Sequence, residues 1–162
     1  MKLVNLGIYA VSFLCFLLAL IAGDSVVAAL GAIPFLLLVC AAVHEAGHCT
    51  ACLLTGSTIR EVRLPLLQFK EKHLCISGDL LPNSYCSFHK NRSPWLVYLL
   101  GPVFSLVFWC IILVIFLCFP SRMLLFGSIL AFLVLLVNVI PYRNNDMAEL
   151  LRQFRHTGER NP

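Results

Sequence analysis

Two histidines four residues apart flank a glutamate in His44-Glu45-Ala46-Gly47-His48. On a helix, residues i and i+4 share one face about a turn apart, so both imidazoles can bind a single Zn2+. Glu45 lies roughly 100° around the same helix, where it can reach a water on the metal without ligating the metal. Zinc brings the pKa of such a water toward about 7, and a carboxylate placed there can take its proton. Zinc hydrolases hold the ion with three protein ligands and keep one position open. A third ligand must therefore come from elsewhere, and Asp146 is the best candidate. The competing reading makes Asp146 a surface carboxylate or the N-cap of a helix opening at Met147, a common role for aspartate.

The elements that must position these residues are apolar. Of the 162 residues 60% are apolar and 12% are charged, with mean hydropathy +0.90. This composition excludes an ordinary soluble domain and a disordered chain. Runs of about 20 apolar residues suit membrane spans. Four are expected, at about 3–22, 30–54, 94–119 and 123–140, in one domain over 1–162. The first run is longer than a signal-peptide core and reads as a retained span. Asp24 marks a short turn after it. Pro34 divides the second run by a kink or a late helix start, and Gly56-Ser57 ends it. Loop 57–93 is the one substantial hydrophilic region. Within it Thr58–Leu67 and Leu74–Leu81 are candidate strands, with a hairpin turn at Lys70-Glu71-Lys72-His73. Pro65 demotes the first to an edge strand. Residues 147–156 read as a basic amphipathic helix at the membrane surface. The expected fold is an all-α polytopic membrane protein with a short hairpin-like insert and this C-terminal helix.

The net charge of +4 follows from loop lysines and arginines and implies no nucleic-acid partner. With the amino terminus inside, only Arg122 of the 12 Lys and Arg falls outside, so both termini are expected in the cytoplasm. His44 and His48 then lie toward the cytoplasmic end of the second span, and Asp146 follows the fourth span on that side. Three ionisable groups inside an apolar helix are costly in lipid unless paired, metal-bound or wet. The eight cysteines do not form a disulfide framework, and Cys49-x-x-Cys52 reads as packing in preference to a redox or metal pair. His73, His89 and His156 read as solvated, and Trp95 and Tyr98 suit an interfacial belt.

The chain resembles the site-2 protease family of intramembrane zinc metalloproteases. His44-Glu45-Ala46-Gly47-His48 matches that family's zinc motif inside a span. Asn138-Val139-Ile140-Pro141 followed by Asp146 is similar to its Asn-x-x-Pro segment leading to a Leu-Asp-Gly element. Gly101-Pro102 resembles a Gly-Pro feature of its central span. The likeness runs over roughly residues 30–150. It implies Zn2+ on His44, His48 and Asp146, with Glu45 as the catalytic acid/base. It also implies that Asn138 holds the unwound substrate or its oxyanion, and that the 58–81 region lets an extended substrate add as a strand. Two positions depart from the pattern. Asn145-Asp146-Met147 stands for Leu-Asp-Gly, and Ser105 stands where Asn is frequent. The implied activity is hydrolysis of peptide bonds within or near transmembrane segments of membrane proteins or peptide precursors. The expected setting is a bilayer, favoured as a bacterial plasma membrane by the small size of the chain, with control by a membrane partner or by substrate supply. The alternatives are a metal-binding membrane protein without hydrolytic activity and a substrate-binding pseudoprotease.

Overall fold

The computed structural model describes residues 2–22, 26–70, 73–76, 84–88, 94–142 and 145–158. Among the described residues six helices and four strands follow in the order α1 Lys2–Ala22, α2 Val26–Gly31, α3 Ile33–Leu54, β1 Ile59–Arg63, β2 Leu67–Lys70, β3 His73–Ile76, β4 Tyr85–Phe88, α4 Pro94–Cys118, α5 Arg122–Val139 and α6 Asp146–Gly158. Four of the helices are long and apolar enough to cross a membrane: Val4–Ile21, Ile33–Leu54, Trp95–Cys118 and Arg122–Val139. Their outward faces remain apolar, with Val107, Ile111, Val114 and Leu117 of α4 all exposed.

The second apolar run resolves into two helices. Pro34 sits in the first turn of α3, where its missing N–H costs no hydrogen bond, so the proline starts the helix late and does not kink it. Phe35 next to it donates its backbone N–H to Ser12 Oγ of α1 at 2.9 Å, which satisfies one donor that the helix cannot. At the other end Gly56 adopts φ +66°. Ser57 N–H then reaches the Cys52 carbonyl at 2.9 Å and Gly56 N–H the Leu53 carbonyl at 3.3 Å, a left-handed stop that favours glycine.

The hydrophilic insert is larger than a hairpin. It is an antiparallel sheet of order β3-β2-β1-β4. The expected turn after Lys70 is borne out, since Lys70 pairs with His73, although Glu71 and Lys72 lie outside the described residues. The expected strand over 58–67 is divided. Leu64 N–H bonds the Leu67 carbonyl at 2.7 Å, and the buried Pro65 occupies the turn between β1 and β2. Pro65 therefore leaves the ladder intact, and β1 is a central strand, not an edge. Much of the expected strand 74–81, the Asp24 turn, His89 and the side chain of His156 lie outside the described residues.

Helices α3 and α4 carry the densest packing. Gly47 of α3 faces the Leu100 carbonyl and Gly101 Cα of α4, and a Cβ at Gly47 would overlap them. Ala51, Cys52 and Val97 form a buried cluster over which Ile59 and Phe88 of the sheet close. A second cluster of Ala19, Ala29, Ala32 and Met123 joins α1, α2 and α5.

Candidate metal centre

His44 and His48 lie a turn apart on α3, and both are buried. Asp146 comes from the first turn of α6. His44 Nε2 lies 2.8 Å from Asp146 Oδ2, His48 Nε2 lies 3.1 Å from the same oxygen, and the two Nε2 atoms are 3.1 Å apart. These three residues form a group able to hold a metal ion.

The opposite ring nitrogens explain why both Nε2 atoms face inward. His48 Nδ1 is 2.7 Å from the Val97 carbonyl, which can only accept, so the proton sits on Nδ1. His44 Nδ1 is 3.0 Å from Ser105 Oγ, which can accept from it. In those tautomers both Nε2 lone pairs meet the Asp146 carboxylate, and a metal ion, or a proton taken up by one imidazole, reconciles three electron-rich atoms so close together. A tetrahedral Zn2+ with bonds of about 2.0–2.1 Å keeps its ligand atoms about 3.3 Å apart, so the three atoms need to part by only a few tenths of an ångström. The donor set therefore fits a small divalent ion.

Gly101 closes one side of the pair. A Cβ there would stand 2.5 Å from His48 Cε1 and Nε2 and 3.0 Å from His44 Cε1. The α4 backbone thus packs directly on both imidazoles, which only glycine permits.

Glu45 is 3% exposed, and its Oε2 has no hydrogen-bond partner among the described residues. Ser84 lies beside its carboxyl group. A buried carboxylate oxygen left open beside a ligand cluster suits proton exchange better than structural support. The cavity at this point holds about 710 Å3. Leu37 and Ala41 of α3 and Leu133 and Val137 of α5 supply apolar walls, and Tyr85 and Phe88 of β4 supply a third side.

All five expected site residues meet here. Asn138 lines the cavity, with Nδ2 3.4 Å from His44 Nδ1. Sequence reasoning missed the partners of the ligands. Ser105 was visible only as a departure, the Val97 carbonyl carries no sequence signal, and Asn145 has the residue type of an N-cap. Tyr98, expected in an interfacial belt, lines the cavity and meets Phe88 edge-on at 6.2 Å. Cys52 packs in the core as expected, while Cys49 lies against Cys86 of β4, both as free thiols. Comparison with family models, curated proteins and solved structures finds no match for the chain.

Proposed function

We propose that this chain is an intramembrane zinc endopeptidase of the site-2 protease type. The observation that carries the reading is the convergence of His44, His48 and Asp146 within 3.1 Å of one another, beside a buried Glu45 with an open oxygen. A transport or sensor site needs the three ligands but has no use for a carboxylate held next to them without ligating.

Under this reading His44, His48 and Asp146 hold Zn2+. The ion, when bound, polarises the scissile carbonyl and acidifies a water. Glu45 takes the proton from the attacking water and returns it to the leaving amine. Asn138 stands on the cavity wall, where its amide can hydrogen-bond an unwound substrate backbone. The substrate enters as an apolar segment, because the walls from α3 and α5 are apolar. It must unwind, since a helical peptide bond is shielded by its own hydrogen bonds and side chains. Strand β4 lies at the edge of the sheet and on the cavity wall, so an extended substrate can pair with it and satisfy its freed backbone groups. The substrates in this reading are single-span proteins, signal-peptide remnants or peptide precursors. The bilayer placement puts both termini in the cytoplasm, from the charge bias of the loops.

The test is metal content and cleavage in detergent-purified protein. One zinc per chain is expected, lost or strongly weakened in His44→Ala and in Asp146→Ala. Glu45→Gln should keep the zinc and fail to cleave single-span reporter proteins that the parent cuts. Cleavage at the parental rate by zinc-loaded Glu45→Gln protein would sink the mechanism, and a parent protein without zinc would sink the site.

A further inference from the structure

Asp146 must leave the end of α5, turn, and present its carboxylate to α3, all within seven residues. The tight glycine turn of a Leu-Asp-Gly element is missing, because Met147 follows Asp146. The neighbouring Asn145 makes an unusual number of hydrogen bonds. Its Oδ1 accepts from Tyr142 N–H at 3.2 Å and from Ala148 N–H at 3.1 Å. Its Nδ2 donates to the carbonyls of Ile140 at 2.7 Å, Val137 at 3.1 Å and Asn138 at 3.4 Å. Its backbone takes part as well: Asn145 N–H bonds the Tyr142 carbonyl at 3.1 Å, and Glu149 N–H bonds the Asn145 carbonyl at 3.0 Å.

The pattern joins two helix ends. The last carbonyls of α5 have no partner within the helix, and neither do the first N–H groups of α6. One side chain with two amide hydrogens and a carbonyl oxygen serves both sets. Ala148 is the third residue of α6, so Asn145 holds the N-cap position. The expectation that Asp146 could be that cap is thereby corrected. With the cap supplied by its neighbour, the Asp146 carboxylate is released from backbone duty and turns onto the imidazoles.

We infer that Asn145 is the positioning residue for Asp146, a staple that fixes the end of α5 to the start of α6 and sets the third ligand at hydrogen-bond distance from His44 and His48. This rests on the metal reading of the site above. Asn145 supplies no metal ligand of its own, and it acts on the ion through Asp146.

The experiment is a double-mutant cycle read by metal affinity alone. Zn2+ affinity is measured by chelator competition in the full chain, its Asn145→Ala and Asp146→Ala variants and the double variant. Co2+ absorption reports coordination in parallel. Asn145→Ala is expected to weaken binding at least about tenfold, within the range found when a ligand loses its orienting partner. In the Asp146→Ala background the same substitution should cost nothing further, and the Co2+ spectra of both single variants should converge. Asn145→Asp guards against simple misfolding. It keeps both accepting contacts, hence the cap of α6, and loses the donors to α5, so it should retain the helix and still bind metal more weakly. Parental affinity in Asn145→Ala overturns the inference and leaves the metal site standing. Equal losses in both backgrounds overturn it also, because a general structural role is additive. An Asp146→Ala variant with parental affinity overturns the metal reading of Asp146 and the inference with it.

Discussion

Replacing Gly101 by alanine should remove the metal without unfolding the protein. The added Cβ would stand 2.5 Å from His48 Cε1 and Nε2. Ordinary contact begins at 3.4 Å, so the ring must retreat by about 0.9 Å. Metal–ligand bonds tolerate only about 0.2 Å. The ring cannot swing freely, because Nδ1 is held by the Val97 carbonyl at 2.7 Å. His44 is crowded at 3.0 Å and is held by Ser105. We expect Zn2+ affinity to fall at least about 100-fold, or about 2.8 kcal/mol. The assay is chelator competition on detergent-purified protein, with thermal unfolding of the metal-free form as a control. Gly47→Ala provides the contrast. Its Cβ would strike the backbone of Leu100, which cannot rotate away, so α3 and α4 must separate at a cost of about 1–3 kcal/mol in metal-free stability. Gly127→Ala meets nothing within 4 Å and should instead stabilise α5 by about 0.5–1 kcal/mol. Parental zinc affinity in Gly101→Ala would refute the claim that this backbone seats the imidazoles.

Other substitutions probe the surroundings. Ser105→Ala removes the oxygen that accepts from His44 Nδ1 and should weaken Zn2+ binding about 10–100-fold, measured by the same competition. In the sheet, Glu61 Oε1 accepts from the Tyr85 hydroxyl at 2.8 Å and from Gln68 Nε2 at 2.6 Å. These bonds hold the Glu61 carboxyl below its ordinary 4.5, and the Glu61 contact holds Tyr85 above its ordinary 10.0. The lowered carboxyl contributes above pH 4.5, and that contribution goes as acid passes through its folded value. The raised phenol contributes below pH 10, and that goes as base passes through its own. Hydrogen exchange across β1 and β4 should accordingly be slowest, relative to intrinsic rates, between these limits. Tyr85→Phe should abolish the alkaline loss of protection, and an unchanged profile in that variant would count against the pairing. Acid should also release the metal from the parent, because the imidazole ligands must be neutral to bind; zinc retained at pH 4 would argue against a two-histidine site.

The ligands were legible because their signal is local. His44, Glu45 and His48 need only helical spacing, and four apolar runs of span length sit where α1, α3, α4 and α5 are found. Asp146 was reachable from the expected topology, which set it on the same side as the histidine pair, and from the order of motifs in the family resemblance. What stayed hidden depends on approach between distant segments. Ser105 stands 61 positions from His44, and only the α3–α4 crossing brings them together. The Val97 carbonyl belongs to every residue type alike. Pro65 misled because the rule on proline in strands applies to residues within a ladder, whereas here the proline turns the chain between two strands. Asn145 had the composition of a cap, but a cap that also closes the preceding helix needs the turn geometry to be seen.

The separation of the ligands along the chain has a consequence in time. Glu45 and both histidines share one helix, yet Asp146 lies 98 positions beyond His48. Synthesis at about 5–20 residues per second puts about 5–20 s between the two. During that interval the growing chain carries Glu45 and two of the three candidate ligands, and lacks the third arm. Under the function proposed above, hydrolytic competence would arrive last, when α5 and α6 have been made and docked. On that proposal a chain stalled or truncated before α6 would be inert toward the newly inserted helices around it, and the order of the ligands along the polypeptide would act as a safeguard during insertion.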